Sequence, residues 1–216
     1  MDMKLDLKGY DLFIVDFDGT IVDTMKMWKT ICMDFVKNLN INPKDDLYTK
    51  ISSKTNIEIA RIIRDEYLKD YSYDEVMYMF FEFIKLEYIK QDIKPNAIKL
   101  LEYLNRLGKV VLYSATANSV LDVLLDKFDL KKYYTNIYSG SDLGFSKDDG
   151  TGYLSVIKLE GGCKKALVLE DALHAIIGAK KQQLDVMAII DYSNINCLDI
   201  VKEYADYLVD LTKICI

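Results

Sequence analysis

Residues 12–20 read LFIVDFDGT, and this stretch decides the fold. Its short apolar run is rich in β-branched residues, which is typical of a buried strand. Asp16 and Asp18 follow the run directly, and Gly19 then allows the chain to turn sharply. In an open α/β sheet, ligands bind beyond the carboxyl ends of the strands. The stretch therefore predicts a strand that ends in a functional site.

Length and charge limit the classes of protein to which the chain can belong. It has 216 residues, of which half are apolar and 29% are charged, as in ordinary globular proteins. The formal net charge is −6, and only three of the 28 cationic residues are arginines. A protein that binds the phosphate backbone of a nucleic acid needs a concentrated basic surface, so we expect no nucleic acid as partner.

Other features of the sequence bear on where the protein works. No segment approaches the roughly 18 consecutive apolar residues that span a bilayer. Residues 1–11 mix Lys and Asp and lack the apolar centre of a secretory signal. The four cysteines are widely spaced, which favours buried free thiols over a disulfide or metal framework. We expect a cytoplasmic protein with no membrane partner, and the sequence indicates no protein partner.

The composition changes after the first strand. Residues 21–93 are rich in Tyr and Met and helical in period, and their clearest helix is predicted at residues 73–90. Beyond Pro95, helical stripes alternate with strand-like runs, which predicts a mostly parallel, doubly wound sheet. The runs lie at residues 110–113, 136–139, 166–169, 186–190 and 207–209. We therefore predict an α/β core, residues 1–20 and 94–216, interrupted by an all-helical cap at residues 21–93.

Polar residues end the other predicted strands as well. The second strand runs into Ser114, the fourth into Glu170 and Asp171, and Lys147 lies in a loop rich in Gly and Asp after the third. Together with the two aspartates of the first strand, four carboxylates, a hydroxyl and an ammonium meet at one sheet edge. Carboxylates packed together repel one another unless a cation intervenes. A hard divalent ion held by oxygen ligands, Mg²⁺, resolves the repulsion.

With such an ion present, the two aspartates have distinct expected roles. Asp16 comes first after the strand and can attack phosphorus to give an aspartyl-phosphate. Asp18 lies two residues on, so its side chain points to the same side in extended backbone. It can protonate the leaving oxygen and later deprotonate the attacking water. The amides of the turn at Gly19 and Thr20 can hold phosphate oxygens.

The remaining residues are expected to bind the phosphoryl group and the metal. Ser114, with its neighbour Ala115, would hydrogen-bond the phosphoryl group, and Lys147 would neutralise its charge. Asp171 and Glu170 would complete a metal shell with the Asp16 carboxylate and the Asp18 carbonyl.

These stretches, in this order, resemble the four motifs of the haloacid dehalogenase-like phosphatase superfamily: residues 16–20, Ser114, Lys147 and residues 170–171. A helical cap after the first motif is similar to that of the subgroup containing β-phosphoglucomutase and phosphoglycolate phosphatase. The resemblance implies a Mg²⁺-dependent phosphatase acting on a small phosphorylated metabolite. It also implies phosphate-ester chemistry, because members that cleave halides or phosphonates lack an aspartate at the position of Asp18.

The sequence departs from the family pattern at three places. The third motif usually reads Lys-Pro, but Lys147 is followed by Asp148, and Lys158 on the next helix is a rival for the role. The spacing to Glu170 favours Lys147. Trp28 stands where the mutase branch has a histidine. Residues 182–183 are Gln-Gln where the fourth-motif helix usually ends in Ala-Gly.

Two alternative functions stay open. One is a β-phosphoglucomutase-like phosphomutase, which Trp28 disfavours. The other is a catalytically silent metabolite-binding protein on the same fold. Two further residues carry minor hypotheses: Lys54, in the cap, either contacts substrate or is solvated, and His174, the only histidine, is expected to be structural.

Overall fold

The computed structural model describes residues 3–51 and 56–215 of the chain. It divides into two compact units: residues 26–90 form one, and the rest of the chain forms the other. The divisions at 25/26 and 90/91 lie a few residues inside the predicted limits at 20/21 and 93/94.

The smaller unit contains helices over its described residues. They are α1 (Met25–Asn38, beginning one residue before the division), α2 (Leu47–Ile51), α3 (Asn56–Tyr67) and α4 (Tyr73–Tyr88). Helix α4 begins at a capping box, in which the Glu75 amide donates to Ser72 Oγ and the Ser72 amide donates to Glu75 Oε2. The buried side chains of these helices are mostly aliphatic and include the rings of Phe35 and Phe80, whose centroids are 5.2 Å apart. The helical period of the sequence therefore reflects a packed apolar core.

The larger unit is built on a parallel sheet. Its strands are β1 (Met3–Lys4), β2 (Leu12–Val15), β3 (Lys109–Ser114), β4 (Asn136–Ser139), β5 (Ala166–Glu170), β6 (Asp185–Ile189), β7 (Tyr207–Val209) and β8 (Ile214–Cys215). Six of them form one sheet in the order β4-β3-β2-β5-β6-β7, and β1 pairs separately with β8. Every pair in the six-stranded sheet is parallel. The predicted doubly wound fold class is confirmed.

Helices connect these strands. They are α5 (Ala97–Leu107), α6 (Asn118–Lys127), α7 (Gly140–Leu143), α8 (Thr151–Leu159), α9 (Leu173–Lys181) and α10 (Leu198–Tyr204). Strands β2 and β5 are buried along their whole length, as expected for central strands of a parallel sheet with both faces covered. That burial explains why both strands read as unbroken apolar runs rather than as alternating patterns.

The order of strands reverses next to β2. From β2 the chain proceeds to β3 and β4 on one side, then returns to β5, β6 and β7 on the other. Val15 is paired with Leu112 of β3 and with Leu169 of β5. The carboxyl ends of β2 and β5 therefore flank the switch point, where ligands bind in open α/β sheets.

Two short segments carry the chain out of the larger unit and back. Val22 and Ile93 form an antiparallel bridge, and the Asp23 amide donates to the Asp92 carbonyl over 2.8 Å. The Lys94 amide donates to the Ile21 carbonyl, also over 2.8 Å. The outgoing and returning segments are thus hydrogen-bonded to each other at the edge of the core.

Cysteine placement and helix length bear on the remaining expectations. Within the described ranges, no helix is both long and apolar enough to cross a membrane. Cys32, Cys163 and Cys197 are free thiols, of which Cys32 is buried and Cys163 is exposed. The expectation of buried thiols is therefore wrong for Cys163, which lies in the loop before β5.

Candidate active site

The site lies at the carboxyl ends of two adjacent strands. Asp16 directly follows β2, and its amide donates to the Leu169 carbonyl over 3.0 Å. Glu170 is the last residue of β5, and Asp171 follows it. Because β2 and β5 flank the switch point, all three carboxylates face the edge at which the strand order reverses.

The three carboxylates form a buried cluster. Asp16, Glu170 and Asp171 each place one carboxylate oxygen so that all three atoms lie within 4.8 Å of one another. Asp16 is 6% exposed, and the other two are 1% exposed. Glu170 Oε2 also accepts the Asp171 and Ala172 amides over 2.8 and 3.0 Å, which fixes its orientation at the start of the turn into α9.

Lys147 is the cation of this cluster. Its Nζ lies 2.5 Å from Asp16 Oδ1 and 2.7 Å from Glu170 Oε1, and the side chain is buried. The ammonium also lies 5.1 Å from the centre of the Tyr113 ring. The rival Lys158 is on α8 and exposed. The structure thus brings Lys147, and not Lys158, to the nucleophile candidate.

Helix α9 holds the Lys147 loop in the absence of the proline that usually follows this lysine. A Cβ on Gly178 would lie 2.0 Å from the Lys147 carbonyl oxygen, so only glycine allows the loop to approach the helix. Gln182 Nε2 donates to the Asp149 carbonyl over 2.7 Å. The neighbouring Gln183 takes up the left-handed conformation, with a φ of 59°, where glycine is usual. Gln182, which departs from the family pattern, therefore anchors the loop in which Asp148 departs from it as well.

Burial and mutual repulsion shift the protonation of the cluster. Burial, followed by the charge of Glu170, raises the pKa of Asp16 to about 7 even though Lys147 opposes the shift. Burial likewise raises the pKa of Asp171 well above its ordinary value, and Glu170 adds to the shift. Burial alone would lower the pKa of Lys147, but Asp16 and Glu170 raise it above its ordinary value. The single ammonium does not balance three carboxylates.

The residues present fit a hard divalent cation. Mg²⁺ prefers carboxylate and carbonyl oxygens, and the cluster offers oxygen donors from three buried acids. Carboxylates with raised pKa values gain the most from a cation that stabilises their charged forms. Asp16, Glu170 and Asp171 are the residues that could hold the ion, with the Asp18 carbonyl as the fourth predicted ligand.

The Asp18 side chain lies outside the three-carboxylate group and has its own partners. Thr24 Oγ1 donates to Asp18 Oδ1 and Thr116 Oγ1 donates to Asp18 Oδ2, each over 2.8 Å. The two hydroxyls fix the orientation of the carboxylate from opposite sides. Neither threonine was predicted as a site residue, although Thr116 stands two residues after Ser114 at the end of β3.

Of the predicted phosphate-binding residues, Gly19 and Thr20 lie beside Asp171 of the cluster. Gly19 has a φ of +78°, and a Cβ there would lie 2.3 Å from Asp171 Oδ2, so the turn requires glycine on both counts. Thr20 is buried, and its Oγ1 donates to Asp171 Oδ1 over 3.5 Å. Ser114 is buried and its Oγ accepts the Thr116 amide over 3.1 Å, whereas Ala115 is exposed.

The sequence also singles out Lys54, Trp28 and His174. Lys54, the predicted cap contact to substrate, falls outside the described residues. Trp28 packs in the helical unit, with its ring centroid 5.9 Å from that of Tyr88. The His174 side chain is 66% exposed, and its Nε2 lies 3.7 Å from Asp148 Oδ1, in line with a structural role.

Besides the two threonines, sequence reasoning missed two further groups of residues at the site. Tyr153, on α8, is buried and donates its hydroxyl to Glu170 Oε1 over 3.2 Å. Ser193 Oγ donates to Asp171 Oδ2 over 2.5 Å, and Asn194 Nδ2 donates to the Asp171 carbonyl over 2.8 Å. Ser193 and Asn194 follow β6, so examination of the residues after that strand would have indicated them. No comparable signal exists for Tyr153, whose helical spacing predicts only a core position.

Comparison with protein families gives a match over most of the chain. Residues 13–189 match the family described as haloacid dehalogenase-like hydrolase. A phosphoglycolate phosphatase from Agrobacterium fabrum (strain C58) is 26% identical over an alignment of 183 residues, and the match covers 78% of this chain and 76% of that protein. The matched residues of this chain include all four motifs identified in the sequence.

Solved structures share the fold across both units. A candidate β-phosphoglucomutase from Thermotoga maritima superposes with a TM-score of 0.74 at 20% identity, covering 93% of this chain and 94% of the other. CbbY from Rhodobacter sphaeroides, solved in complex with phosphate, gives a TM-score of 0.71 at 15% identity, with 93% and 94% covered. At these identities the structural likeness establishes the fold alone. The predicted resemblance to the family and to its subgroup with a helical cap is confirmed.

Proposed function

The chain belongs to the haloacid dehalogenase-like hydrolases, and from that premise we propose that it is a Mg²⁺-dependent phosphatase of a small phosphorylated metabolite. The observation that carries the proposal is the position of Lys147 Nζ, 2.5 Å from Asp16 Oδ1 within the cluster of three buried carboxylates. A carboxylate that only ended a strand would not require a buried lysine and two further buried carboxylates beside it. The phosphate bound to CbbY and the phosphatase activity in the name of the Agrobacterium relative support the same substrate class.

The reaction we propose has two displacements at phosphorus. An Asp16 carboxylate oxygen attacks the phosphorus, the ester bond breaks, and Asp18 gives its proton to the leaving oxygen. In the second step Asp18 takes a proton from water, the water oxygen attacks the phosphorus of the aspartyl-phosphate, and the Asp16 carboxylate is regenerated. Inorganic phosphate and the alcohol are the products.

Other residues bind and orient the phosphoryl group in this proposal. Lys147 offsets the negative charge that Asp16 and the phosphoryl oxygens bring together. Ser114 Oγ accepts one hydrogen bond and still carries a proton that it can donate to a phosphoryl oxygen. A bound Mg²⁺ would supply further positive charge to the phosphoryl oxygens, held by Asp16, the Asp18 carbonyl, Glu170 and Asp171.

We further propose that the helical unit, residues 26–90, is the cap that selects the substrate and excludes water during the reaction. Free thiols at Cys32, Cys163 and Cys197 are compatible with a reducing compartment such as the cytoplasm.

The test is release of inorganic phosphate from a panel of sugar phosphates, phosphoglycolate, nucleotides and an aryl phosphate. We expect turnover with Mg²⁺, background rates in EDTA, and recovery when Mg²⁺ is returned. The Asp16→Asn variant, purified identically, measures contaminating phosphatase. Turnover that ignores EDTA would refute the metal requirement.

A phosphomutase is the second candidate, favoured by the likeness to the Thermotoga protein. It would interconvert sugar-phosphate isomers and release little phosphate. A metabolite that binds without any turnover would instead identify a silent binding protein.

A further inference from the structure

The loop after β6 forms a closed turn next to the carboxylate cluster. Asp191 Oδ1 accepts the Ser193 amide over 2.8 Å, and Asn194 Oδ1 accepts the Asp191 amide over 3.1 Å. The backbone closes the same turn, because the Asn194 and Ile195 amides both donate to the Asp191 carbonyl. We call residues 191–194 the β6 turn. Its own side chains fix its shape.

The β6 turn holds Asp171 at two points. Ser193 Oγ donates to Asp171 Oδ2 over 2.5 Å, and Asn194 Nδ2 donates to the Asp171 carbonyl over 2.8 Å. Asn194 Nδ2 also donates to the Ile189 carbonyl over 2.7 Å, which ties the turn to the end of β6. The side chain and the backbone of Asp171 are therefore both oriented by one rigid turn.

A buried lysine braces the turn from its other side. Lys94 Nζ lies 2.5 Å from Asp191 Oδ2, and the two side chains are 8% and 2% exposed. Lys94 also belongs to the segment returning from the helical unit, where its amide donates to the Ile21 carbonyl. A buried ion pair costs desolvation and adds little net stability.

We propose that the β6 turn, braced by Lys94, is a positioning device for Asp171, in which Ser193 orients the carboxylate for the metal. The inference rests on the proposed function, because it takes Asp171 to be a Mg²⁺ ligand. None of Lys94, Asp191 and Ser193 contacts the substrate in this proposal. They act through Asp171, as residues behind metal ligands commonly do.

The experiment measures Mg²⁺ binding by calorimetric titration without substrate. In Ser193→Ala, we expect the dissociation constant for Mg²⁺ to rise about tenfold, as for the loss of a group that orients a ligand. Ser193→Thr retains a hydroxyl and should recover most of the affinity. The matched control is Ser155→Ala, since Ser155 Oγ donates to the Thr151 carbonyl within α8. We expect its affinity to equal that of the wild type.

A second variant tests the brace. Lys94→Met combined with Asp191→Asn removes both charges without leaving one buried alone, and Asn at 191 still offers an oxygen to the Ser193 amide. We expect weaker Mg²⁺ binding than in the wild type. The control removes a different pair, Lys109→Met with Glu160→Gln, at the amino end of β3. This control should bind Mg²⁺ as the wild type does.

Thermal unfolding in EDTA and in Mg²⁺ separates positioning from simple structural support. A positioning role reduces the increase in midpoint that Mg²⁺ produces, whereas a structural role lowers both midpoints and leaves the dissociation constant unchanged. If the wild type binds Mg²⁺ and Ser193→Ala binds it equally well, the inference alone is overturned. If the wild type binds no Mg²⁺, the metal requirement of the proposed function fails and the inference fails with it.

Discussion

In the helical unit, Lys50 Nζ lies 2.5 Å from Glu66 and 2.9 Å from Asp46, and these side chains are 21–58% exposed. In the α/β unit, Lys147 Nζ lies 2.5 Å from Asp16 and 2.7 Å from Glu170, and no side chain of this trio is more than 7% exposed. Each unit thus contains a lysine between two carboxylates, and these two trios have nearly equal distances and opposite solvation.

The difference shows that the distance between the charged atoms does not by itself tell how strongly an ion pair affects the protein. Water screens the exposed trio, and such pairs contribute little to stability. The buried trio is shielded from water, so each group depends on the others, and removing Lys147 leaves the carboxylates without their cation. We therefore expect substitutions at the Lys147 trio to affect chemistry and pH dependence, and substitutions at the Lys50 trio to affect neither.

The largest expected effect comes from Asp16→Asn. An amide cannot act as the nucleophile, so we expect phosphate release to fall by about 10⁴-fold or more. Circular dichroism should show a folded protein. The matched change in the exposed trio, Asp46→Asn, should leave the rate unchanged. An Asp16→Asn enzyme within tenfold of the wild-type rate would remove Asp16 from the nucleophile role.

Lys147→Ala should have the next largest effect. Loss of the buried ammonium removes charge stabilisation at the phosphoryl group, and we expect kcat to fall about 10²–10³-fold. Lys158→Ala, which removes an exposed lysine of α8, should keep its kcat within about twofold of the wild type. Steady-state kinetics with saturating Mg²⁺ measure both variants. The reverse order would assign the third motif to Lys158.

The pH dependence of stability in EDTA offers a third comparison. The pKa of Asp16 is raised to about 7 in the folded protein, so the folded state binds more protons than the unfolded state between about pH 4 and pH 7. The contribution of Asp16 to the free energy of unfolding is present at low pH. It is lost as the pH rises through this window, by at most about 1.4 kcal/mol per pH unit. Asp171, whose pKa is also raised, acts in the same direction.

Urea unfolding in EDTA at several pH values between 4 and 8 measures this effect. The free energy of unfolding should fall less steeply with pH in Asp16→Asn than in the wild type. In Asp46→Asn the slope should match that of the wild type. Equal slopes in all three proteins would contradict the account of the buried cluster.

Tyr153→Phe should have a smaller effect. It removes the hydroxyl that donates to Glu170, and we expect about 1–2 kcal/mol less free energy of unfolding together with a lower kcat. Tyr138 provides a control. Its hydroxyl donates to Glu160 Oε1 over a distance of 2.6 Å, and Glu160 is not one of the three clustered carboxylates. Tyr138→Phe should lower stability and leave kcat unchanged. A wild-type kcat in Tyr153→Phe would limit Tyr153 to packing.

The smallest effect is expected from Glu66→Gln in the exposed trio. Because water already solvates these groups, the thermal midpoint should shift by no more than about 2 °C. Its kcat should equal that of the wild type. A larger shift would show that exposure does not distinguish the two trios.

The sequence predicted most of the sheet and the central residues of the candidate site. Strands β2 and β5 are buried on both faces, so their apolar runs give a strong local signal. Lys147 was favoured over Lys158 by its spacing to Glu170, and the structure brings Lys147 to the carboxylates. Local patterns sufficed because a parallel sheet gathers its strand ends at one edge.

Contacts between distant side chains could not be predicted in this way. Lys94 and Asp191 are separated by 97 positions, and nothing in the local pattern of either residue identifies the other. The helical spacing of Tyr153 predicts its burial but not the partner of its hydroxyl. Strands β1 and β8 are each two residues long, too short to give a recognisable period.

The hydrogen bonds between the outgoing and returning segments bear on how long the part of the chain between them can be. The Asp23 amide donates to the Asp92 carbonyl over 2.8 Å. The chain between these two residues is therefore connected to the core as the loop of a hairpin is connected to its two strands. The cost of closing a flexible loop grows slowly with its length, by about 0.6 kcal/mol for each doubling. Segments of very different size can therefore be exchanged at this position while the sheet retains its register. The junction is a natural site for transplanting one cap onto another catalytic core.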